Sequence, residues 1–209
     1  MPLTDYARDR FIAPKMSALT TCGAKPLELD AGGVEAWLPD FVLNSISRFS
    51  VAEPQRQLMF TFLRRVDGAV VEYEEGRQGL VAYFERRVHS GIHLYSRALL
   101  HFETCVALTY QAWCLVRQLV PATPPLFAKN DGSEFERLNR LYNVWRHADE
   151  RIVNGQYAPN STLPLWFVDE GLESVDARVT FTELGDMLAS LHRIANQVSA
   201  IRTADETNA

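Results

Sequence analysis

The sequence lacks a long apolar run, a metal-type pair of cysteines and an excess of positive charge. No hydrophobic segment reaches about 18 residues without a charged residue, so we expect no membrane-spanning helix and no membrane partner. The three cysteines, Cys22, Cys105 and Cys114, are not spaced as metal ligands, and the N-terminus has no apolar core of the secretory type. An odd number of cysteines without such a signal is typical of a reducing cytoplasm, the location we expect.

The charge balance and the missing motifs exclude several classes of function. The 209 residues carry a formal net charge of -5 at pH 7, whereas proteins that hold nucleic acid through their overall field are usually basic. A nucleic-acid role therefore requires a local site or a brief catalytic encounter. The chain has no Gly-x-Gly-x-x-Gly, Walker, Gly-x-Ser-x-Gly or Cys-x-x-Cys motif, so we expect no nucleotide cofactor and no serine hydrolase chemistry.

Helical periodicity of the apolar residues predicts an all-α fold. Residues 51–88 show this spacing with a break at Asp67-Gly68, and the longest helical pattern covers 93–120. Two later patterns each begin with a capping-box pair, Ser133 with Glu136 and Thr180 with Glu183. These stretches, with short connections between them, predict a four- to five-helix bundle.

The remaining stretches complete the predicted domain organisation. LPLWFV and VDARV flank a turn at 169–171, which predicts a small β-hairpin or extended insertion before the last helix. We expect residues 1–50 to form an irregular N-terminal segment, with a short helix over 34–48 that is interrupted near Pro39. The bundle then occupies 51–203, and 204–209 form a frayed polar tail.

The predicted helix over 134–153 separates an apolar face from a polar row. At about 100° per residue from Leu138, its apolar residues fall within about 80° of zero. They are Phe135, Leu138, Leu141, Tyr142, Trp145, Ala148 and Ile152. Arg140, Asn143 and His147 fall between about 140° and 200°, on the opposite side, so we expect His147 to lie outside the core.

Two interpretations of this polar row remain open. Most polar helix faces are simply solvated, and a single exposed histidine requires no further explanation. Alternatively, the row faces a cleft or a partner subunit. Histidine exchanges protons near neutral pH, arginine binds phosphate through a planar fork of donors, and an amide orients either group. Cleavage of an RNA strand by internal attack needs such groups.

The spacing Arg140-x6-His147, on the penultimate helix of an all-α domain, resembles the Arg-x(4 to 6)-His motif of HEPN domains. The segment HFETCVALTYQAWCL (101–115) is similar to the long helix that precedes the motif in those domains. The order of FE, a proline-rich loop, DGS and RLNRLYNVWRH also resembles a group of uncharacterised bacterial HEPN-like proteins. The resemblance covers roughly residues 70–201. One departure is Leu141, because the residue after the arginine is polar in many HEPN domains.

The resemblance implies a homodimer with two such motifs at its interface, and RNA cleavage that needs no metal or other cofactor. Many HEPN proteins are toxins or antiphage effectors, and others are inactive scaffolds. On this basis His147 would be the general acid and base, and Arg140 would stabilise charge on the phosphate. Asn143 would position these groups, and Arg146 would add a second contact to the RNA substrate. A toxin of this kind would have an antitoxin as its protein partner.

Three alternatives stay open beside this hypothesis. The first is a non-catalytic helical dimer that binds a protein partner, which Leu141 and the negative net charge favour. The second is a small-molecule sensor with a pocket between helices, for which the sequence names no ligand. The third is a zinc site at His89 and His93, four residues apart; Ser90-Gly91 between them predicts a helix break, so we expect no metal.

Glu103 is a carboxylate among the apolar residues of the longest helical pattern. If it is buried, it needs a partner such as Arg97, Arg117 or an arginine on the 134–153 helix. Otherwise it lies at the exposed edge of its helix, which is the interpretation we favour.

Overall fold

A computed structural model describes residues 3–30, 34–47, 53–86, 91–120, 126–157 and 162–199. These ranges contain seven α-helices, one 3-10 helix (Met16–Ala18) and a three-stranded antiparallel sheet before the last helix, which confirms the predicted all-α class. The helices are α1 (Asp5–Phe11), α2 (Val34–Ser47), α3 (Glu53–Arg86), α4 (Ile92–Leu119), α5 (Glu134–Arg146), α6 (Ala148–Val153) and α7 (Phe181–Ser199). The strands are β1 (Trp166–Val168), β2 (Gly171–Glu173) and β3 (Arg178–Thr180).

The long helices α3 and α4 pack side by side and antiparallel. The predicted break at Asp67-Gly68 is wrong, because α3 continues through it to Arg86. Gly68 instead faces α4: a Cβ there would lie 3.0 Å from Leu108 Cδ1. At Gly76 a Cβ would lie 2.8 Å from the Phe102 ring. These glycines therefore let two helix backbones approach closely, at some cost in helix propensity.

The Phe102 ring of α4 marks the centre of the core. Its centroid lies 5.5 Å from Tyr73 of α3, 5.6 Å from Phe167 of β1 and 5.1 Å from Phe181 of α7. The contacts to Tyr73 and Phe167 are edge-on, the arrangement that aromatic quadrupoles favour. The Phe102 ring of α4 thus contacts α3, the sheet and α7.

The predicted hairpin is a three-stranded meander in the order β1-β2-β3. Its first turn lies where the sequence predicts it, but Gly171 belongs to β2 rather than to the turn. A Cβ at Gly171 would lie 2.2 Å from Val179 O, so only glycine fits. In the first turn, the Asp169 carboxylate accepts hydrogen bonds from Thr20 N (2.7 Å) and Thr20 Oγ1 (2.6 Å), and these lower its pKa.

The N-terminal region is more helical than predicted. Residues 1–33 contain α1, and α2 continues through Pro39 without interruption. Trp37 of α2 donates from Nε1 to Asn196 Oδ1 of α7 (2.6 Å), and its ring lies 4.7 Å from that of His192. The predicted domain division at residue 50 stays a prediction, and the tail at 204–209 lies outside the described residues.

The last helix, α7, begins with a capping box. The predicted capping box of α7 is confirmed: Glu183 N donates to Thr180 Oγ1 (3.1 Å), and Thr180 N donates to Glu183 Oε2 (2.8 Å). Within the described ranges, no helix combines the length and apolarity needed to cross a membrane.

Candidate functional site

The predicted helix over 134–153 is two helices, with His147 at the break between them. The backbone N–H of His147 closes α5 by donating to Asn143 O (3.1 Å), and its own carbonyl accepts from Arg151 N in α6 (3.0 Å). No residue of α6 is fully buried, and Ile152, expected in the core, is 60% exposed. Arg151 instead holds α6 to the β2–β3 turn through Asp176 (2.6 Å). The helix therefore breaks where its apolar residues no longer cover the core.

The core face of α5 agrees with the prediction. Leu138 and Leu141 are fully buried, and the Tyr142 ring stacks on Tyr110 at 4.1 Å. Val144, outside the predicted stripe, is also buried, because it packs beside Trp166. The polar row therefore has the buried Val144 on one side and solvent on the other. For this reason its side chains are only partly exposed.

Arg140 is held by its own helix rather than left free for a ligand. Its Nη2 lies 2.6 Å from Glu136 Oε1, its Nε lies 3.2 Å from the same oxygen, and Nη2 also reaches Asn130 Oδ1 at 3.3 Å. The side chain remains 42% exposed. Within the described part of the chain, Nη1 makes no hydrogen bond.

Glu136 explains why Arg140 is engaged in this way. Its buried carboxylate accepts hydrogen bonds from Asn130 N (2.6 Å) and Gly132 N (2.8 Å), in a loop where both residues have positive φ. Hydrogen bonds from Gly132, then Asn130, then Arg140 lower the pKa of Glu136 to about 2. The predicted cap is half correct: Glu136 N donates to Ser133 Oγ (3.1 Å), but the carboxylate binds the loop. The first role of Arg140 is thus to complete this loop anchor.

His147 is the most available ionisable group of the row. Its side chain is 43% exposed, and its Nδ1 lies 3.3 Å from Glu150 Oε2. A carboxylate in that position favours the tautomer that carries its proton on Nδ1, and we assign this tautomer from the contact. Nε2 is then the basic nitrogen. Because 43% of its side chain is exposed, His147 lies outside the core, as the sequence predicts.

The other two candidate residues lie beside this histidine. Asn143 donates from Nδ2 to Asn139 Oδ1 (3.0 Å). Arg146 is exposed and forms no ion pair within the described ranges. Arg140 and His147 are seven residues apart, about 10 Å along a helix. The two side chains of one protomer therefore do not contact the same substrate atom. The row shares one side of the helix, but no hydrogen bond joins any two of Arg140, Asn143 and His147.

The structure also bears on the metal hypothesis and on the other histidines. In the described part of the chain, no group of three or more His, Cys, Asp or Glu residues could hold a metal ion. His89 lies outside the described residues, and His93 is exposed. His101 of α4 contacts Glu72 of α3 through Nδ1 at 2.7 Å, a side-chain hydrogen bond that joins the two long helices.

Glu103 differs from the interpretation we favoured. It is 9% exposed, and it makes no hydrogen bond or ion pair within the described ranges. Burial alone raises its pKa to about 7. The hydroxyl of Tyr157, whose pKa is raised by burial and then by the nearby Glu103, is buried without a hydrogen-bond partner in the parts of the chain that the structure describes. No sequence pattern distinguishes this buried carboxyl from one at the edge of α4.

Comparisons with known proteins give no assignment: no protein-family model, curated protein or solved structure matches the chain. The function is therefore argued from the geometry of the site and from the chemistry of its residues.

Proposed function

We propose that this protein is a metal-independent endoribonuclease of the HEPN type that acts as a homodimer in the cytoplasm. The observation that supports this best is the position of His147. Its imidazole is half-exposed at a helix break, Glu150 lies 3.3 Å from its Nδ1, and the exposed Arg146 precedes it in the sequence. A base and a cation that can bind phosphate are thus exposed on consecutive residues of the chain.

The reaction follows from the chemistry of these two groups. Nε2 of His147 takes the proton from a ribose 2′-hydroxyl, and that oxygen attacks the adjacent phosphorus. The bond from phosphorus to the 5′-oxygen breaks, and the departing oxygen receives a proton from the His147 imidazolium, which returns the histidine to its neutral form. The products are a 2′,3′-cyclic phosphate and a 5′-hydroxyl. Because the nucleophile belongs to the RNA itself, the reaction requires no metal-bound water. Arg146 stabilises the extra negative charge on the phosphate.

Arg140 and Asn143 have supporting roles in this proposal. Arg140 offers only Nη1 to a phosphate while Nε and Nη2 stay on Glu136. Because Arg140 lies about two helical turns from His147, it binds a neighbouring phosphate of the same strand or reaches the site of the second copy. Asn143 lies between them and holds the RNA backbone through its amide. A role as a toxin or antiphage effector, with an antitoxin as partner, belongs to the same proposal.

The test measures RNA degradation by the purified protein in EDTA. We expect His147→Ala to lower the cleavage rate about 100-fold or more, the usual effect of removing a general acid or base. His93→Ala is the matched control, because it removes another exposed histidine. Arg146→Ala is expected to slow cleavage without a change in thermal stability. Equal rates for the wild type and His147→Ala would refute the catalytic assignment.

A second candidate function has its own support. Glu136 neutralises Arg140, and the neighbouring α6 exposes Ile152 (60%) and Val153 (86%). These features fit a non-catalytic helical dimer that binds a protein partner through α6. In that case neither the wild type nor the histidine variants cleave RNA, while Val153→Asp disrupts the dimer or the complex in analytical ultracentrifugation.

A further inference from the structure

A cavity of about 210 Å³ lies away from the His147 site, between residues 23–28, α3 and the first half of α7. Tyr73 and Phe181 form its apolar inner wall, and the charged residues Lys25, Glu28 and Asp186 also line it. Tyr73 Oη donates to Lys25 O (3.0 Å), which fixes the extended segment against α3. The cavity is therefore bounded by well-packed core residues on one side and by charged side chains on the other.

Gly185 of α7 keeps this cavity open, and packing does not explain its presence. A Cβ at this position would lie 3.6 Å from its nearest neighbour, Leu27 Cδ2, which is an ordinary contact. By contrast, a Cβ at Gly76 would lie 2.8 Å from the Phe102 ring. Glycine inside a helix is less favourable than alanine, and here neither a close contact nor a positive φ offsets that cost. The missing side chain leaves room for a ligand.

The charged groups around the cavity have no partners among the residues that the structure describes. The side chains of Lys25, Glu28 and Asp186 are exposed and form no hydrogen bond or ion pair within the described ranges. By contrast, Glu183, which is on α7 with Asp186, is paired with Arg137. Two carboxylates and one ammonium group thus remain available at a single cavity. They complement a molecule that carries two positive groups and one negative group.

We propose that this cavity binds a free basic amino acid. Glu28 and Asp186 hold its cationic groups, Lys25 binds its carboxylate, and its aliphatic chain lies against Tyr73 and Phe181. The charge pattern of the cavity matches this class of ligand, and Tyr73 and Phe181 line its inner side. The site shares no residue with the proposed ribonuclease centre, so the two proposals are tested independently.

Isothermal titration calorimetry of the full chain with L-arginine and L-lysine tests the proposal. We expect saturable binding at one site, with Glu28→Gln and Asp186→Asn each weakening it about fivefold, as for an exposed ion pair. Gly185→Leu should abolish binding by filling the cavity. Glu85→Gln, an exposed carboxylate at the far end of α3, is the matched control and should bind like the wild type.

The ligand series separates the contributions of the individual groups. Norleucine lacks the side-chain charge of lysine and should bind more weakly, while agmatine lacks the carboxylate of arginine and should also lose affinity. Equal binding of arginine and agmatine would overturn the assignment of Lys25. No saturable binding of arginine or lysine at millimolar concentration would overturn the whole proposal. Wild-type affinity in a folded Gly185→Leu variant, checked by circular dichroism, would do the same.

Discussion

Replacing Glu103 with glutamine should remove a dependence of stability on pH. The carboxyl lies in α4, is 9% exposed and has no hydrogen-bond partner within the described ranges. Burial raises its pKa from 4.5 to about 7. Glutamine has nearly the same shape but cannot ionise, so Glu103→Gln isolates the effect of the charge.

The sign and size of the effect follow from the two pKa values. The folded state binds the Glu103 proton more tightly than the unfolded state does. The corresponding stability is therefore fully present below about pH 4.5 and is lost as the pH rises through 7. A difference of about 2.5 pH units, at about 1.4 kcal/mol per unit, amounts to a loss of about 3 kcal/mol by pH 8.

Urea unfolding and thermal melts between pH 6.5 and pH 8.5 measure the last part of this loss. The wild type should lose about 0.8 kcal/mol over this window, because the larger part of the about 3 kcal/mol is lost between pH 4.5 and pH 6.5. Its Tm should fall by about 2–3 °C in a chain of this size. Glu103→Gln should show a flat profile, and Glu85→Gln should follow the wild type. Below pH 6.5 the buried His192 adds a slope of opposite sign, because burial lowers its pKa. A wild-type profile that is flat above pH 6.5, or one that Glu103→Gln reproduces, would refute the reasoning.

Two further predictions concern the helix contact and the loop anchor. Gly76→Ala should destabilise the protein by up to about 2 kcal/mol, because a clash of about 1–3 kcal/mol with the Phe102 ring outweighs a gain in helix propensity of about 1 kcal/mol. Gly68→Ala, which meets the mobile tip of Leu108, should be neutral or stabilising; equal Tm values for both variants would contradict this reading of α3. Glu136→Gln should lower thermal stability at pH 7. It should also remove a loss of stability that the wild type shows as the pH falls from about 4.5 towards 2; an unchanged acid profile would show that the loop does not depend on this carboxylate.

Periodicity and caps were sufficient to predict most of the fold. The pattern over 93–120 matches α4 closely, and the pair Thr180 and Glu183 marks the start of α7. The sequence misleads at Gly68, because glycine signals both a helix break and a close helix contact. Which of the two applies depends on whether another helix lies opposite, and a single sequence does not show that.

The candidate site was predictable in placement but not in detail. The angular pattern places His147 outside the core, where the structure has it. The four-residue spacing of Glu136 and Arg140 is an ion-pair signal that the capping-box interpretation overlooked. The break at His147 has no local signal, since the apolar pattern continues through Ile152. It depends on α6 finding no core surface to cover, which is a property of the whole fold.

The most direct test of the proposed function is the chemical identity of the RNA ends after incubation with the protein in EDTA. Internal attack assisted by His147 predicts 2′,3′-cyclic phosphates and 5′-hydroxyls from the wild type and from His93→Ala, and intact RNA from His147→Ala. RNA that stays intact with the wild type, fragments that carry 5′-phosphates, or the same fragments from His147→Ala would contradict it.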